Sequence, residues 1–161
     1  MQKNILFIGV GVLIVWGIFL AQKNEALAPP IMVAPVELAT TTVQFAGTSI
    51  VVEIADTDAS RTLGLSGRRS LSEGRGMFFI FPEPVSSGFW MKDMYFPIDI
   101  IWFDEAGSVV SFVQGADPAS YPEVYYPSRE SKYVLEVPVS FIERYNVAPG
   151  MQFSAQHMFP F

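Results

Sequence analysis

Apolar and polar positions along this chain fall in short blocks with a spacing of two rather than in long helical stripes. Val43-Gln44-Phe45 and Ile50-Val51-Val52-Glu53-Ile54 flank Ala46-Gly47-Thr48-Ser49, which predicts a hairpin with a four-residue loop. Asp56 or Asp58 stands where a helix N-cap belongs, ahead of a short helix over residues 59–65, and Gly64, Gly67 and Gly74 break the stretch that follows. Strand-type residues return in three runs, Met77 to Phe81, Phe89 to Met91 and Ile98 to Phe103. A turn over residues 104–107 leads into a partner strand from Ser108 to Val113. Pro118, Pro122 and Pro127 make residues 117–127 a loop, and Lys132 to Val137 is a further strand. Ser140-Phe141-Ile142-Glu143 has the spacing of a capping box and opens a short helix ending near Asn146. Gly150 then turns the chain into a last strand, Met151 to Ser154. Short strands at close spacing with one or two short helices predict a mainly β fold, a compact antiparallel β-sandwich or barrel over residues 43–155.

The start of the chain has a different pattern. Ile5 to Ala21 is seventeen residues without a charge, bounded by Lys3 and Lys23. That length lies at the bottom of the range for a membrane-spanning helix and just above a signal-peptide core. Ala26-Leu27-Ala28 has the spacing of a cleavage site, but Pro29 follows it and Lys23 and Glu25 intrude. Residues 1–22 are therefore read as a single uncleaved N-terminal transmembrane anchor, and cleavage with secretion is the alternative. The amino terminus and Lys3 precede the segment while Lys23 alone follows it, so the start is expected in the cytoplasm and the body outside it. Residues 23–42, with Pro29, Pro30, Pro35 and a Thr run, are read as a linker. Residues 156–161 are read as a tail.

Charge narrows the partners. Hydrophobic residues make up 50% of the 161-residue chain and charged ones only 16%. With Lys3, Lys23 and Glu25 set aside, eight basic and fifteen acidic residues remain, a net charge of −7. A nucleic-acid partner is not expected, because phosphate-backbone binding needs a basic stripe. The chain has no Cys, so packing alone must hold an exported domain together, and thiol catalysis and zinc–thiolate sites are excluded.

Several blocks taken together resemble a known family. They are Val52-Glu53-Ile54-Ala55, Arg61 with Gly64-Leu65, Arg69 before Leu71, Gly76-Met77-Phe78-Phe79, Phe89-Trp90-Met91-Lys92, Pro97-Ile98-Asp99-Ile100 and Tyr133-Val134-Leu135-Glu136. In this order, across roughly residues 50 to 155, they resemble domain-of-unknown-function family 192, also called uncharacterised protein family 0127. Three positions depart from the family pattern. Asp93-Met94 stands where the family usually has Asn-Thr, Ser140 where it has Gly, and Gly150-Met151 where it has Gly-Asp. The resemblance implies a compact all-β domain, often secreted or anchored, and no established activity.

Candidate chemistry centres on a basic and an aromatic group. Arg61, Arg68, Arg69 and Arg75 are half of the body's basic residues and lie within fifteen positions, a local positive patch suited to a carboxylate or phosphate. The structural alternative pairs Arg61 with an acid such as Asp99. Trp90 and Tyr95 are candidates to wall a pocket for a sugar ring or acyl chain, with core packing as the plainer role of this aromatic group. The leading reading is thus a non-enzymatic, membrane-tethered module of the envelope that binds a small anionic or glycan ligand through Arg61, Arg69, Arg75, Trp90, Lys92 and Tyr95. The alternative is an envelope hydrolase or lyase acting on glycan, with Asp93, Asp99 and Lys92 as acid–base groups. A third reading is an assembly partner docking through Met158-Phe159-Pro160-Phe161. Asp56-Thr57-Asp58 is read as helix capping rather than a cation site, and no metal or cofactor is expected. His157, the only His, has no triad partner.

Overall fold

The computed structural model describes residues 37–155. The expected transmembrane segment, most of the linker, His157 and the terminal tail lie outside the described residues. No helix among the described residues is long and apolar enough to cross a membrane. The first strand, β1 (Thr40–Phe45), starts three residues earlier than the apolar pattern suggested and forms an antiparallel hairpin with β2 (Thr48–Ala55). Phe45 pairs with Thr48, so the loop is the two residues Ala46 and Gly47 rather than four. Both have positive φ, 52° and 78°, the conformation that matches a tight hairpin to the strand twist.

After β2 the chain runs through helix α1 (Asp58–Leu63) into β3 (Arg75–Val85). Thr57, not Asp56 or Asp58, is the N-cap: its hydroxyl accepts from the Ser60 backbone N–H, and Ser60 reciprocates. Because this crossover carries the chain back along the sheet, β2 and β3 pair in parallel. The purely antiparallel sandwich or barrel is therefore corrected to a mixed sheet. Then follow β4 (Phe89–Trp90), β5 (Ile98–Phe103), β6 (Val109–Ala116), β7 (Val124–Tyr125), β8 (Ser131–Pro138), helix α2 (Phe141–Arg144) and β9 (Ser154–Ala155). Seven strands form one sheet in the order β6-β5-β8-β3-β2-β1-β9, and β4 with β7 forms a separate two-stranded ribbon. The barrel is not closed. Residues 150–153 reach across from β9 to residues 107–109 through single bonds and one isolated bridge, Ser108 to Gln152.

Both faces of the sheet are covered, which is why its central strands are apolar at most positions. All six residues of β5 are buried. One face carries Phe45, Phe78, Ile101, Phe103, Leu135 and Val137, packed against α2 and Phe153. The other carries Met77, Phe79, Ile100, Trp102 and Val134, packed against Leu65, Phe89, Met91 and Met94.

Asp99 intrudes on the first face. It is fully buried, and neither Arg61 nor Lys92 reaches it. Instead its two oxygens accept from the backbone N–H groups of Gly115 and Ile142, each at 2.8 Å. The Ser140 side chain makes no capping bond and its backbone is left-handed, so the expected capping box does not form. Asp99 supplies the cap to α2 from β5, tying that helix to the sheet. Asp99→Ala leaves the buried Ile142 N–H and the more accessible Gly115 N–H without their acceptor and is expected to cost roughly 2 to 4 kcal/mol in urea unfolding. Asp99→Asn, which keeps one acceptor, should lose less. An Asp99→Ala midpoint equal to the wild type would remove Asp99 as the tie.

Candidate functional site

The second face opens to solvent beside α1. Strands β3 and β8 form the floor of a hollow of about 330 Å³, with α1 and the residues after it on one side and β4 on the other. Leu63, Phe79, Phe81, Phe89, Trp90 and Glu136 line it. This size is at the lower end of small-molecule pockets. Phe79 and Phe89 meet edge to face at 4.9 Å, and Phe89 rests in turn on Trp102, which fixes the inner wall. Leu63 and Trp90 are half exposed at the rim. Gly88 completes the β4 wall: a Cβ there would lie 2.4 Å from Val124 Cγ1, so only glycine lets β7 pack this closely.

Glu136 is the unusual group. Its register neighbours are Met77 on β3 and Ile100 on β5, and Glu53 lies one strand beyond Met77 in the same row. Glu53 is bound at both oxygens by Arg68, and this contact holds its carboxyl below the usual carboxylate range. Glu136 has no such partner. It is 5% exposed, and its Oε2 makes no hydrogen bond among the described residues. Burial pushes its carboxyl up to about 8, against the opposing pull of the Arg68 charge. Trp102 Nε1 and Ser120 Oγ are also buried without partners, but neither residue lines the hollow. A carboxylic acid in an apolar strand was visible in Val134-Leu135-Glu136-Val137, and it is the same signal that singled out Asp99. Sequence alone does not tell which of the two finds backbone donors.

The residues proposed from sequence are only partly brought together. Arg61 and Trp90 line this hollow, and Trp90 and Lys92 line a second, more open one that adjoins it across Leu63 and Ser66. Arg69, Arg75 and Tyr95 are exposed and line neither. Arg61 is held in place. It donates to the carbonyl oxygens of Asp56 and Ile80, pairs with Asp58, and stacks on Phe81 at 5.3 Å. Lys92 and Asp93 do not form a buried pair: both are exposed on a turn in which Asp93 has a φ of 56°. That turn is fixed through its backbone, since Lys92 O accepts from Ser66 Oγ and Asp93 O from Gly67 N–H, each at 2.9 Å. Asp93 lines the more open hollow, whereas Asp99 is sealed on the opposite face of the sheet. No cluster of metal-ligating side chains is present among the described residues.

A model of the DUF192 family, described as an uncharacterized ACR, matches residues 40–155. A UPF0127 protein of Thermococcus gammatolerans is 31% identical over 101 residues, covering 62% of this chain and 62% of the relative. The chain thus spans less than two thirds of the length of the curated relative it matches. A solved structure from Sinorhizobium meliloti 1021, described as that of a candidate transcription regulator, is similar with a TM-score of 0.71 and 28% identity. The match covers 76% of this chain and 98% of that one. A Novosphingobium aromaticivorans protein of unknown function matches with a TM-score of 0.66 and 26% identity, covering 75% of this chain and 89% of its own.

The buried carboxyl gives a pH signature. Around Glu136, Glu53 and Arg68 lie beyond Met77, and Asp58 and Arg61 line the same hollow. Arg75 and Glu83 sit at the ends of β3, Asp99 is on the opposite face of β5, and the register neighbours Met77 and Ile100 are apolar. Folded Glu136 keeps its proton to about pH 8, whereas the unfolded group releases it near 4.5. Between those values the folded state binds more protons, so stability falls as pH rises. The wild type should lose on the order of 4 kcal/mol between about pH 5 and pH 8 relative to Glu136→Gln, a neutral isostere. Parallel stability profiles for the two proteins would show that Glu136 is ionised in the fold.

Proposed function

The chain belongs to the DUF192 family of uncharacterized proteins, and from that premise we propose that it is a membrane-held ligand-binding module whose site is the hollow between α1 and β4. One observation carries this reading: an aromatic-walled hollow whose floor holds a buried carboxyl oxygen without a protein partner. Core packing accounts for buried rings, but it does not account for an unpaired polar atom below a half-exposed tryptophan. The uncharged segment of residues 5–21 supports attachment to a membrane, with the body on the extracytoplasmic side.

The acid–base reading built on Asp93, Asp99 and Lys92 loses its support at Asp99, whose oxygens are both taken by backbone amides away from solvent. A nucleic-acid role, as the description of the Sinorhizobium structure suggests for that protein, finds little support here. Arg61, Arg68, Arg129, Lys132 and Arg144, five of the body's eight cations, are each ion-paired with a carboxylate. The same pairing weakens the expectation of a multi-arginine anion site.

Thermal unfolding of the full chain against amines, sugars, phosphosugars and fatty acids tests the site. A ligand at about a hundred times its dissociation constant adds roughly 2.7 kcal/mol, several degrees for a domain of this size. Trp90→Ala, at a half-exposed position, should unfold within about 1 kcal/mol of the wild type yet weaken binding at least tenfold. A ligand whose affinity Trp90→Ala leaves unchanged would place the site elsewhere.

Attachment has its own test. After expression in a bacterium, the full chain is expected to sediment with membranes and resist carbonate extraction, and a chain lacking residues 1–30 to be released. Recovery of the full chain in the soluble fraction would remove the anchor.

A further inference from the structure

We propose that the hollow takes a cationic ligand, a small organic amine whose ammonium group is held by Glu136 and by the faces of the surrounding aromatic rings. The inference deepens the binding-module reading and rests on it. It stands on what the lining groups have left to offer. Arg61 is the only basic residue lining the hollow among the described residues, and its guanidinium already donates to Asp56 O, Ile80 O and Asp58. An incoming anion would have to displace those contacts. Glu136, which lines the same space, offers the opposite: a carboxyl oxygen with no protein partner that becomes an anionic acceptor once an ammonium displaces its proton.

The walls favour the same sign of charge. Phe79, Phe89 and Trp90 line the hollow beside Phe81, and the negative face of an aromatic ring attracts cations and is indifferent or repulsive toward carboxylates. Arg61 stacked on Phe81 at 5.3 Å is an example built into the fold. Carboxyl plus aromatic rings is the chemistry by which ammonium groups are recognised, and neither element alone would choose between a cation and a neutral acceptor. The acidic body, with a net charge of −7 beyond the first thirty residues, favours the approach of cations over anions.

Binding converts Glu136 from an acid to a counter-ion. The incoming ammonium lowers the cost of ionising the carboxyl, which gives up its proton to solvent as the pair forms. A neutral hydrogen-bond acceptor would instead need that proton to stay.

Three probes that share one ring separate these cases: benzylamine, benzyl alcohol and benzoate, titrated into the full chain at neutral pH by calorimetry. The expected order is benzylamine tightest, at least tenfold tighter than benzyl alcohol, with no measurable binding of benzoate. Glu136→Gln should bring benzylamine down to the level of benzyl alcohol, and Trp90→Ala should weaken both. Benzoate or benzyl alcohol binding as tightly as benzylamine in the wild type, with the Trp90 dependence intact, overturns the cation assignment and keeps the binding site. Failure of all three probes to bind overturns both readings. The wild-type order decides the charge question even if Glu136→Gln does not fold.

Discussion

Burial of the central strands on both faces is the constraint from which the rest of this structure follows. A sheet exposed on one side can place a carboxylate every second residue without cost. Here β5 and β8 are covered above and below, so any acid on them must find donors or keep its proton. Two acids sit on these strands, and they are resolved in opposite ways. Asp99 faces the layer closed by α2 and takes two backbone amides. Glu136 faces the layer closed by α1 and β4, where the covering is incomplete, and its Oε2 takes none. The same physical problem yields a structural tie on one face and a chemically open group on the other.

Much of the fold was legible in the alternation of residue types. The strands β3, β4, β5, β6 and β8 were placed, and the last strand was expected at Met151 to Ser154 where β9 is Ser154–Ala155. Phe89 is buried while Trp90 is half exposed, as the period of two requires. The parallel pairing of β2 with β3 was not legible, because it depends on how residues 56–74 fold back, and glycines in that stretch mark breaks without giving direction. The short β4–β7 ribbon was hidden for a related reason. Val124 and Tyr125 lie among prolines, and only the glycine at position 88 across from them makes room for the pairing. At the site, the arginines clustered in sequence do not line one hollow. Arg61 and Arg68 turn inward to pair with local acids, while Arg69 and Arg75 stay on the surface.

Departures from the family pattern find a backbone explanation. Asp93 and Ser140, which stand where the resembled pattern has Asn and Gly, both adopt positive φ, 56° and 72°. Asn and Gly are the residues that tolerate this region best. At both positions the backbone conformation, in the turn after Trp90 and at the start of α2, accounts for the residue types of the pattern without a reactive side chain. Ser140 can occupy its position because Asp99 holds the adjoining helix from outside, so the helix does not rely on its own cap.

The pairing of β1 with β9 has a consequence for how the domain is joined to other sequence. Val43 lies opposite Ala155 and Gln44 opposite Ser154, so β9 ends one strand spacing from a point three residues into β1, and Thr40 and Ala155 sit on the order of 10 Å apart. A unit whose two ends are neighbours can be spliced into a surface loop of an unrelated host without stretching either partner. Joined end to end across a short linker, it can also be reopened at the Ala46–Gly47 hairpin, giving a permuted chain with the same strands in a new order.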